Sequence, residues 1–489
     1  MEEDSLIDTN FQLFSKRSKY LSKQPQQIIE TPPQITQISD VQEIEKQTHP
    51  TNPSSSFSDL GLSESAIKTC LELKMKHPTP VQQCCIPKIL QGSDVLGIAE
   101  TGSGKTAAFA LPILDRLAEN PYGVFALIVT PTRELAFQLA EQFRALGSSL
   151  HVRCTVIVGG MDMITQSKTL MQRPHIVIST PGRIKVLIED NPDIPSVFSK
   201  TKFLVLDEAD RVLDVGFEEE LRVIFKCLPK SRQTLLFSAT MTNDLTALHE
   251  LSSKKAYFYG QYEGLKTPDS LKHQYLCVPK KVKDVYLLYV LSRKENMGVR
   301  SVIVFFNERK KCRRMALLLE NLDQEVAELH SQKSQSERLA ALHRFKSGKV
   351  PILLATGVGE RGLDIPTVDL VINYDLPRLP EDYVHRVGRA ARAGRTGLAM
   401  SLVSGKELEL LHGVEAELGK EMEEFECKEK DVLADITKVF KARRVAKMKM
   451  VDEHFEDELK KRKQQKLKTL AEKGLLSKTN RKRKRNKDI

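Results

Sequence analysis

"VLGIAETGSGKTAAF", Val95 to Phe109, joins a short apolar run, a glycine-rich loop and the start of a helical pattern. Ala99, Glu100, Thr101, Gly102, Ser103, Gly104, Lys105 and Thr106 fit the phosphate-loop pattern, in which four free positions precede Gly-Lys-Thr. Such a loop turns its backbone N–H groups toward a polyphosphate, and the helix that follows adds favourable partial charge. Lys105 is expected at the β- and γ-phosphates and the Thr106 hydroxyl at Mg²⁺. A glycine turn matching by chance is the bland alternative. The strand-like run before the loop and the helix after it are the context the chemistry requires, and they favour a nucleotide site.

The rest of the composition narrows the setting. A chain of 489 residues exceeds one core and predicts two or three domains. No apolar run has the ~18 residues needed to span a membrane. The start, "MEEDSLIDTN", lacks the plan of a secretory signal. The 8 cysteines form no CxxC pair, which argues against zinc and disulfides and for a reducing compartment. They read as small buried hydrophobes. Charge is uneven: Lys441 to Ile489 carries 19 basic and 7 acidic residues, so the net +11 belongs to the tail. Its end, "RKRKRNKD", suits nuclear import or non-specific attraction to phosphates, beside the plainer reading of a solvated tail. Residues 1–56, rich in Gln, Pro, Ser and Thr, read as disordered.

Between the tails, β-branched runs alternate with amphipathic segments such as "TRELAFQLAEQFRAL". The runs at 95–99, 126–130, 155–159, 176–180, 203–208 and 234–239 predict strands buried on both faces. After a polar stretch near 260–270 the pattern resumes at 302–306, 326–330, 352–356, 370–374 and 398–403. This is an α/β plan of two parallel-sheet domains, whose ligands gather beyond the carboxyl ends of the strands. "FLVLDEAD" ends one strand in Asp207, Glu208, Ala209 and Asp210. Asp207 is placed to hold Mg²⁺ and Glu208 to take a proton from an attacking water. Alone, "DEAD" is as readily a solvated turn; with a phosphate loop upstream, hydrolysis is favoured.

With these residues in view, the chain from about Phe57 to about Ser404 resembles the DEAD-box ATP-dependent RNA helicases. The resemblance implies tandem RecA-like domains that close on ATP and RNA: a tail at 1–56, a first domain at 57–259, a linker at 260–271, a second domain at 272–420 and a charged, partly helical tail at 421–489. "PTPVQ" (78–82) looks like the adenine-reading motif, with Gln82 at the base edge and Phe57 as its upstream aromatic. "SAT" (Ser238, Ala239, Thr240) is similar to the element that couples hydrolysis to closure. Pro131, Thr132 and Arg133, Gly159 and Gly160, and Thr180, Pro181, Gly182 and Arg183 look like first-domain RNA contacts. Phe306, Asn307, Gln335, Arg338 and Thr356 look like those of the second. Asp364 is similar to the family's ribose contact. In "HRVGRAARAGR", His385 belongs to the coupling set, and Arg389 and Arg392 resemble the arginines that reach the γ-phosphate. Contacts of this kind favour phosphate and 2′-OH over base edges, so the RNA is expected to be bound through its backbone.

The family pattern is departed from at Met75, where an aromatic is usual, at Ala390–Ala391 for Thr-Gly, and at "TGVGERGLD" (356–364). There Gly357, Gly359 and Glu360 replace commoner residues, and two extra glycines are expected to loosen the loop. "VGGMDMITQ" (158–166) and the closing motif resemble the nucleolar helicases of small-subunit ribosome assembly, which implies pre-rRNA, protein activators or pre-ribosome components as partners, a nucleolar address and a monomer. A helicase of splicing or mRNA handling, and an ATP-gated RNA clamp, stay open as alternatives.

Overall fold

The computed structural model describes residues 56–100, 102–213, 215–240, 256–260, 267–268, 270–359, 368–390 and 396–453, with Gln464. The chain divides into two units, Met1–Glu263 and Gly264–Ile489. Each is built on one seven-stranded parallel sheet, the plan of tandem RecA-like domains.

The first unit holds β1 (Val95–Ile98), β2 (Ala126–Val129), β3 (Cys154–Ile157), β4 (Ile176–Ser179), β5 (Phe203–Asp207), β6 (Gln233–Ser238) and β7 (Tyr257–Gly260), in the spatial order β3-β4-β2-β5-β6-β1-β7. β1, β2, β4 and β5 are buried at every residue, as expected where helices cover both faces. Gly97 in β1 is required by packing: a Cβ there would lie 2.6 Å from the Phe237 ring of β6. That ring in turn packs against Phe109, with centroids 5.3 Å apart, behind the phosphate loop.

The second unit repeats the plan with β8 (Leu271–Cys277), β9 (Val302–Phe305), β10 (Val326–Leu329), β11 (Ile352–Ala355), β12 (Leu370–Asn373), β13 (Gly397–Val403) and β14 (Glu423–Glu424). Its order, β10-β11-β9-β12-β13-β8-β14, is that of the first unit with every number raised by seven.

The structure departs from the sequence reading at the end of the second unit. The boundary expected at 420 is not a structural one, because β14 pairs with β8 and the helix Ile436–Asp452 lies on the sheet's helical layer. Val432, Val439, Ala442, Ala446 and Met450 join the core that contains Met315, Leu318 and Leu354. The basic face of that helix had made it read as tail; its small and apolar residues at helical spacing are what dock it. The cysteines also differ from expectation: Cys70, Cys85 and Cys312 are buried, whereas Cys277 is exposed.

Burying Val439 and Met450 contributes about 1.5–3 kcal/mol each. Truncation after residue 420 is therefore expected to lower the melting temperature by more than about 5 °C. Truncation after residue 453 is expected to leave it unchanged. Thermal unfolding followed by circular dichroism distinguishes the two.

Candidate active site and nucleic-acid surface

In the first unit the sheet order sorts the chemistry. The residues expected at the nucleotide follow β1, β5 and β6, which are adjacent. Those expected at RNA follow β2, β3 and β4, also adjacent. Parallel strands all end on one edge, so the two sets lie side by side on it.

Gly102 and Gly104 carry φ of +89° and +94°, backbone that L side chains rarely adopt, and this turns the loop into the helix Lys105–Glu119. Lys105 Nζ donates to the carbonyls of Ala99 (2.5 Å) and Glu100 (2.9 Å), and the Ser103 hydroxyl donates to Glu100 O (2.7 Å). Burial pulls the Lys105 ammonium down from its ordinary value, while Asp207, Glu208, Asp210 and Glu100 oppose that pull. Burial likewise pushes Asp207 up to about 6 against the attraction of Lys105. Asp207 is thus a sequestered carboxylate that a cation would stabilise. Thr106 stands one residue beyond Lys105 in the same first turn.

Gln82 is 2 % exposed and committed to the protein. Its Oε1 accepts from Thr79 N at 3.0 Å, and its Nε2 donates to Gly104 O at 3.1 Å. The side chain therefore braces the phosphate loop from the helix Pro80–Leu90, and in this arrangement its amide does not face outward to a base edge. Phe57 is also buried, inside the first unit's core, and presents no free ring.

Glu208 sits at φ 52°, ψ 51° at the head of the short helix Ala209–Val212. A non-glycine residue held there carries backbone strain of order 1 kcal/mol. Asp210, which the sequence reading quoted without a role, ties the site together. Its two carboxylate oxygens accept from the hydroxyls of Ser238 (2.8 Å) and Thr240 (3.0 Å). The signal was present: an acid three residues past Asp207, and two hydroxyls flanking Ala239 on the neighbouring strand. Thr101, Asp364 and Arg392 lie outside the described residues.

On the other half of the edge, three helices begin where β2, β3 and β4 end. They are Arg133–Leu146, Met163–Met171 and Pro181–Asp190, headed by Thr132, Asp162 and Thr180. Pro131 leads into the first, with the Thr132 hydroxyl accepting from Leu135 N at 3.3 Å. The Arg133 guanidinium lies over Gly159; a Cβ on that glycine would come within 2.7 Å of Arg133 Nη2. Gly160 turns the chain at φ +82°, and Gly182 opens onto free space. Burial and the like charge of Arg133 pull Arg183 below its ordinary value. Two cations and three helix N-termini on one edge suit a phosphate backbone.

In the second unit Asn307 is held by three residues, two of which are also bonded to each other. Its N–H donates to Asp375 Oδ2 (3.0 Å), its Nδ2 to Leu376 O (2.7 Å), and Arg386 Nη2 donates to its Oδ1 (2.9 Å) while Arg386 Nη1 donates to Asp375 O (2.8 Å). Phe306 corrects the sequence reading: its ring is fully buried against Tyr374, centroids 4.8 Å apart, so it is a core residue behind Asn307. Gln335 and Arg338, on the first turn of the helix Gln335–Lys346, are buried, as is Thr356 after β11. His385 and Arg389 are buried at the end of the helix Pro380–Val387, where Arg389 Nε donates to His385 O at 3.2 Å. Of the loop after β11 that carries the two extra glycines, Gly357–Gly359 are described, and residues 360–367 lie outside the described residues. Gly357–Gly359 form a tight turn, with Gly359 N donating to Thr356 O at 2.7 Å. A Cβ on Gly359 would lie 2.8 Å from that of Ala355, so this glycine answers a close approach.

The fold and site define a nucleotide-driven motor of the helicase class. Residues 79–248 match the DEAD/DEAH box helicase family and residues 280–394 the helicase conserved C-terminal domain. The chain is 63% identical over 448 residues to DEAD-box ATP-dependent RNA helicase 36 of Arabidopsis thaliana, covering 90% of this chain and 91% of that protein. It is 47% identical over 396 residues to the ATP-dependent RNA helicase DDX47 of Drosophila melanogaster, covering 81% and 77%. Among solved structures it is similar to S. cerevisiae Dbp5 bound to RNA and ADP BeF3, with 28% identity, a TM-score of 0.69, and 80% of this chain and 99% of that one covered. The protein belongs to the DEAD-box ATP-dependent RNA helicases.

Two glycines separate the halves of the edge experimentally. Gly104→Ala forces a Cβ to within 2.5 Å of Gln82 Nε2 at a positive φ, and is expected to abolish binding of a fluorescent ATP analogue while RNA binding persists. Gly159→Ala is expected to do the reverse, displacing Arg133 and weakening single-stranded RNA binding several-fold with nucleotide affinity unchanged. Anisotropy titrations of both ligands on both variants check this.

Proposed function

We propose that the residues after β1, β5 and β6 hydrolyse ATP, and that the enzyme uses this turnover to remodel RNA during ribosome biogenesis. The observation that supports the catalytic half is the single network of Lys105, Asp207 and Asp210 with Ser238 and Thr240. Lys105 binds the β- and γ-phosphates in place of its two carbonyl partners. Asp207 and Thr106 would hold a Mg²⁺ ion, since the buried Asp207 carboxyl, pushed up by burial, gains from a cation, and a hydroxyl one residue past Lys105 is a further oxygen donor. Bound there, Mg²⁺ neutralises developing phosphate charge. Glu208 accepts the proton of the attacking water, its strained backbone aiming the carboxylate. Asp210 transmits the state of this site to Ser238 and Thr240. Arg389 and Arg392 supply positive charge to the transferring phosphoryl group, as the family resemblance implies.

RNA lies along Pro131–Arg133, Gly159–Gly160 and Thr180–Arg183, and in the second unit against Asn307, Gln335, Arg338 and Thr356. Such contacts read the backbone, so target choice falls to the flanking segments and to protein partners. Pre-rRNA as the target, a nucleolar address and a monomeric enzyme are what the resemblance of "VGGMDMITQ" and the closing motif to the nucleolar helicases implies. Crosslinking to RNA in cells, followed by sequencing of the bound fragments, tests the target. Recovery of mRNA or spliceosomal RNA in place of pre-rRNA overturns it.

Glu208→Gln is expected to retain ATP and RNA binding but hydrolyse ~10²–10⁴-fold more slowly. Single-turnover hydrolysis measured beside binding titrations checks this, and near-normal turnover removes Glu208 from the chemistry.

Deleting residues 454–489, which hold "RKRKRNKD", is expected to leave RNA-free ATPase unchanged. It is expected to flatten the dependence of log RNA affinity on log salt, because fewer counterions are released. Fluorescence imaging of the same deletion is expected to show reduced nuclear accumulation.

A further inference from the structure

The second unit carries a cavity that none of the roles above uses. It lies beyond the carboxyl ends of β8, β12 and β13, has a volume of about 350 Å³, and is lined by eight basic residues against three acidic ones. Because the two sheets share one strand order, β8, β12 and β13 are the counterparts of β1, β5 and β6. The cavity therefore occupies in the second unit the position that the ATP site occupies in the first. The correspondence extends to Lys283, which opens the helix Lys283–Ser292 after β8 as Lys105 opens its helix after β1.

The chemistry has been rebuilt around a different kind of cradle. "VPKKVK" (278–283) contains no glycine, and its proline has no N–H, so the backbone cannot present the nest of amides that a phosphate loop does. Side-chain cations take that place. The acids are consumed inside the wall. Glu407 accepts from Lys283 (2.8 Å), Asp375 from Lys311 (2.9 Å), and Asp284 from Tyr374 (2.5 Å) while pairing with Arg443 (2.7 Å). Lys280, Lys281, Lys406 and Lys447 are exposed at the rim and form no ion pair among the described residues. A neutralised wall under four unopposed ammonium groups is a site for clustered negative charge. Its depth favours a compact group over an extended strand.

We propose that this cavity binds a small anion with several clustered phosphates, such as a polyphosphate chain or a polyphosphorylated metabolite. Lys281 follows β8 and Lys447 stands on the helix Ile436–Asp452, so the anion bridges the start of the unit to its last helix. Binding thereby stabilises the docked state of that helix.

The test titrates inorganic tripolyphosphate into the full chain carrying Lys105→Ala, which removes the first-unit phosphate site, in magnesium-free buffer followed by calorimetry. One site per chain is expected, together with a raised melting temperature. Adding Lys281→Glu and Lys447→Glu, both exposed, is expected to weaken it by roughly tenfold or more. Neutral Lys280→Gln with Lys406→Gln serves the same purpose should charge reversal disturb folding. Absence of binding in the Lys105→Ala chain, or affinity indifferent to both rim pairs, overturns the proposal. So does loss of single-stranded RNA affinity in the rim variants without any tripolyphosphate binding, which identifies the cavity as an RNA contact. A polyphosphorylated cyclitol tested beside the linear chain distinguishes the source of the phosphates.

Discussion

A parallel strand cannot return through a tight hairpin; the chain must cross over the sheet, usually as a helix, before the next strand begins. Every strand of both sheets here obeys that constraint, so every strand-to-helix junction falls on one edge of its sheet. The consequences run through the whole molecule. Strand interiors become uniformly apolar, helix N-termini converge on the edge, and residues distant in sequence become neighbours. Lys105, Asp207 and Ser238 come from three separate crossovers, yet belong to adjacent strands because β1, β6 and β5 are adjacent.

Asp210 then does what the sheet alone cannot. Strand order brings the "DEAD" and "SAT" segments side by side, but only a carboxylate accepting both hydroxyls makes them one unit. Gln82 works similarly on the opposite flank, fastening the phosphate loop to a helix that precedes β1.

The fold was legible where physics writes it locally. Each apolar run of five or six residues that the sequence analysis names became a strand. β8 escaped because Leu271–Cys277 alternates with polar residues, unlike the fully apolar strands around it. β14 is two exposed glutamates without an apolar residue to mark a strand, and Glu423 pairs with Lys272 of β8 at 2.7 Å. In the site, the residue types were readable but their orientations were not. Gln82 and Phe306 have the right identities for ligand contact, and only the packing reveals that one braces a loop and the other fills the core. The final helix misled through its charge, since the 3.6-residue spacing of Val439, Ala442, Ala446 and Met450 was outweighed by the lysines between them.

The pairing of β2 with β5 is the seam between the two halves of the first unit's edge. Val129 stands opposite Leu206 between two strands buried at every residue, so the register cannot slip without turning apolar side chains the wrong way. The sheet is therefore a ruler that sets the separation of the two halves of its edge. Only the loops beyond the strands are left to move. One residue past Val129 is Thr130, fully buried, whose hydroxyl has no hydrogen-bond partner among the described residues; one register step past Val129–Leu206 sets it opposite Asp207. The seam between the two halves thus runs out into buried polar groups, Thr130 and Ser179 on one side and Asp207 on the other, where the apolar interior of the sheet gives way to its working edge.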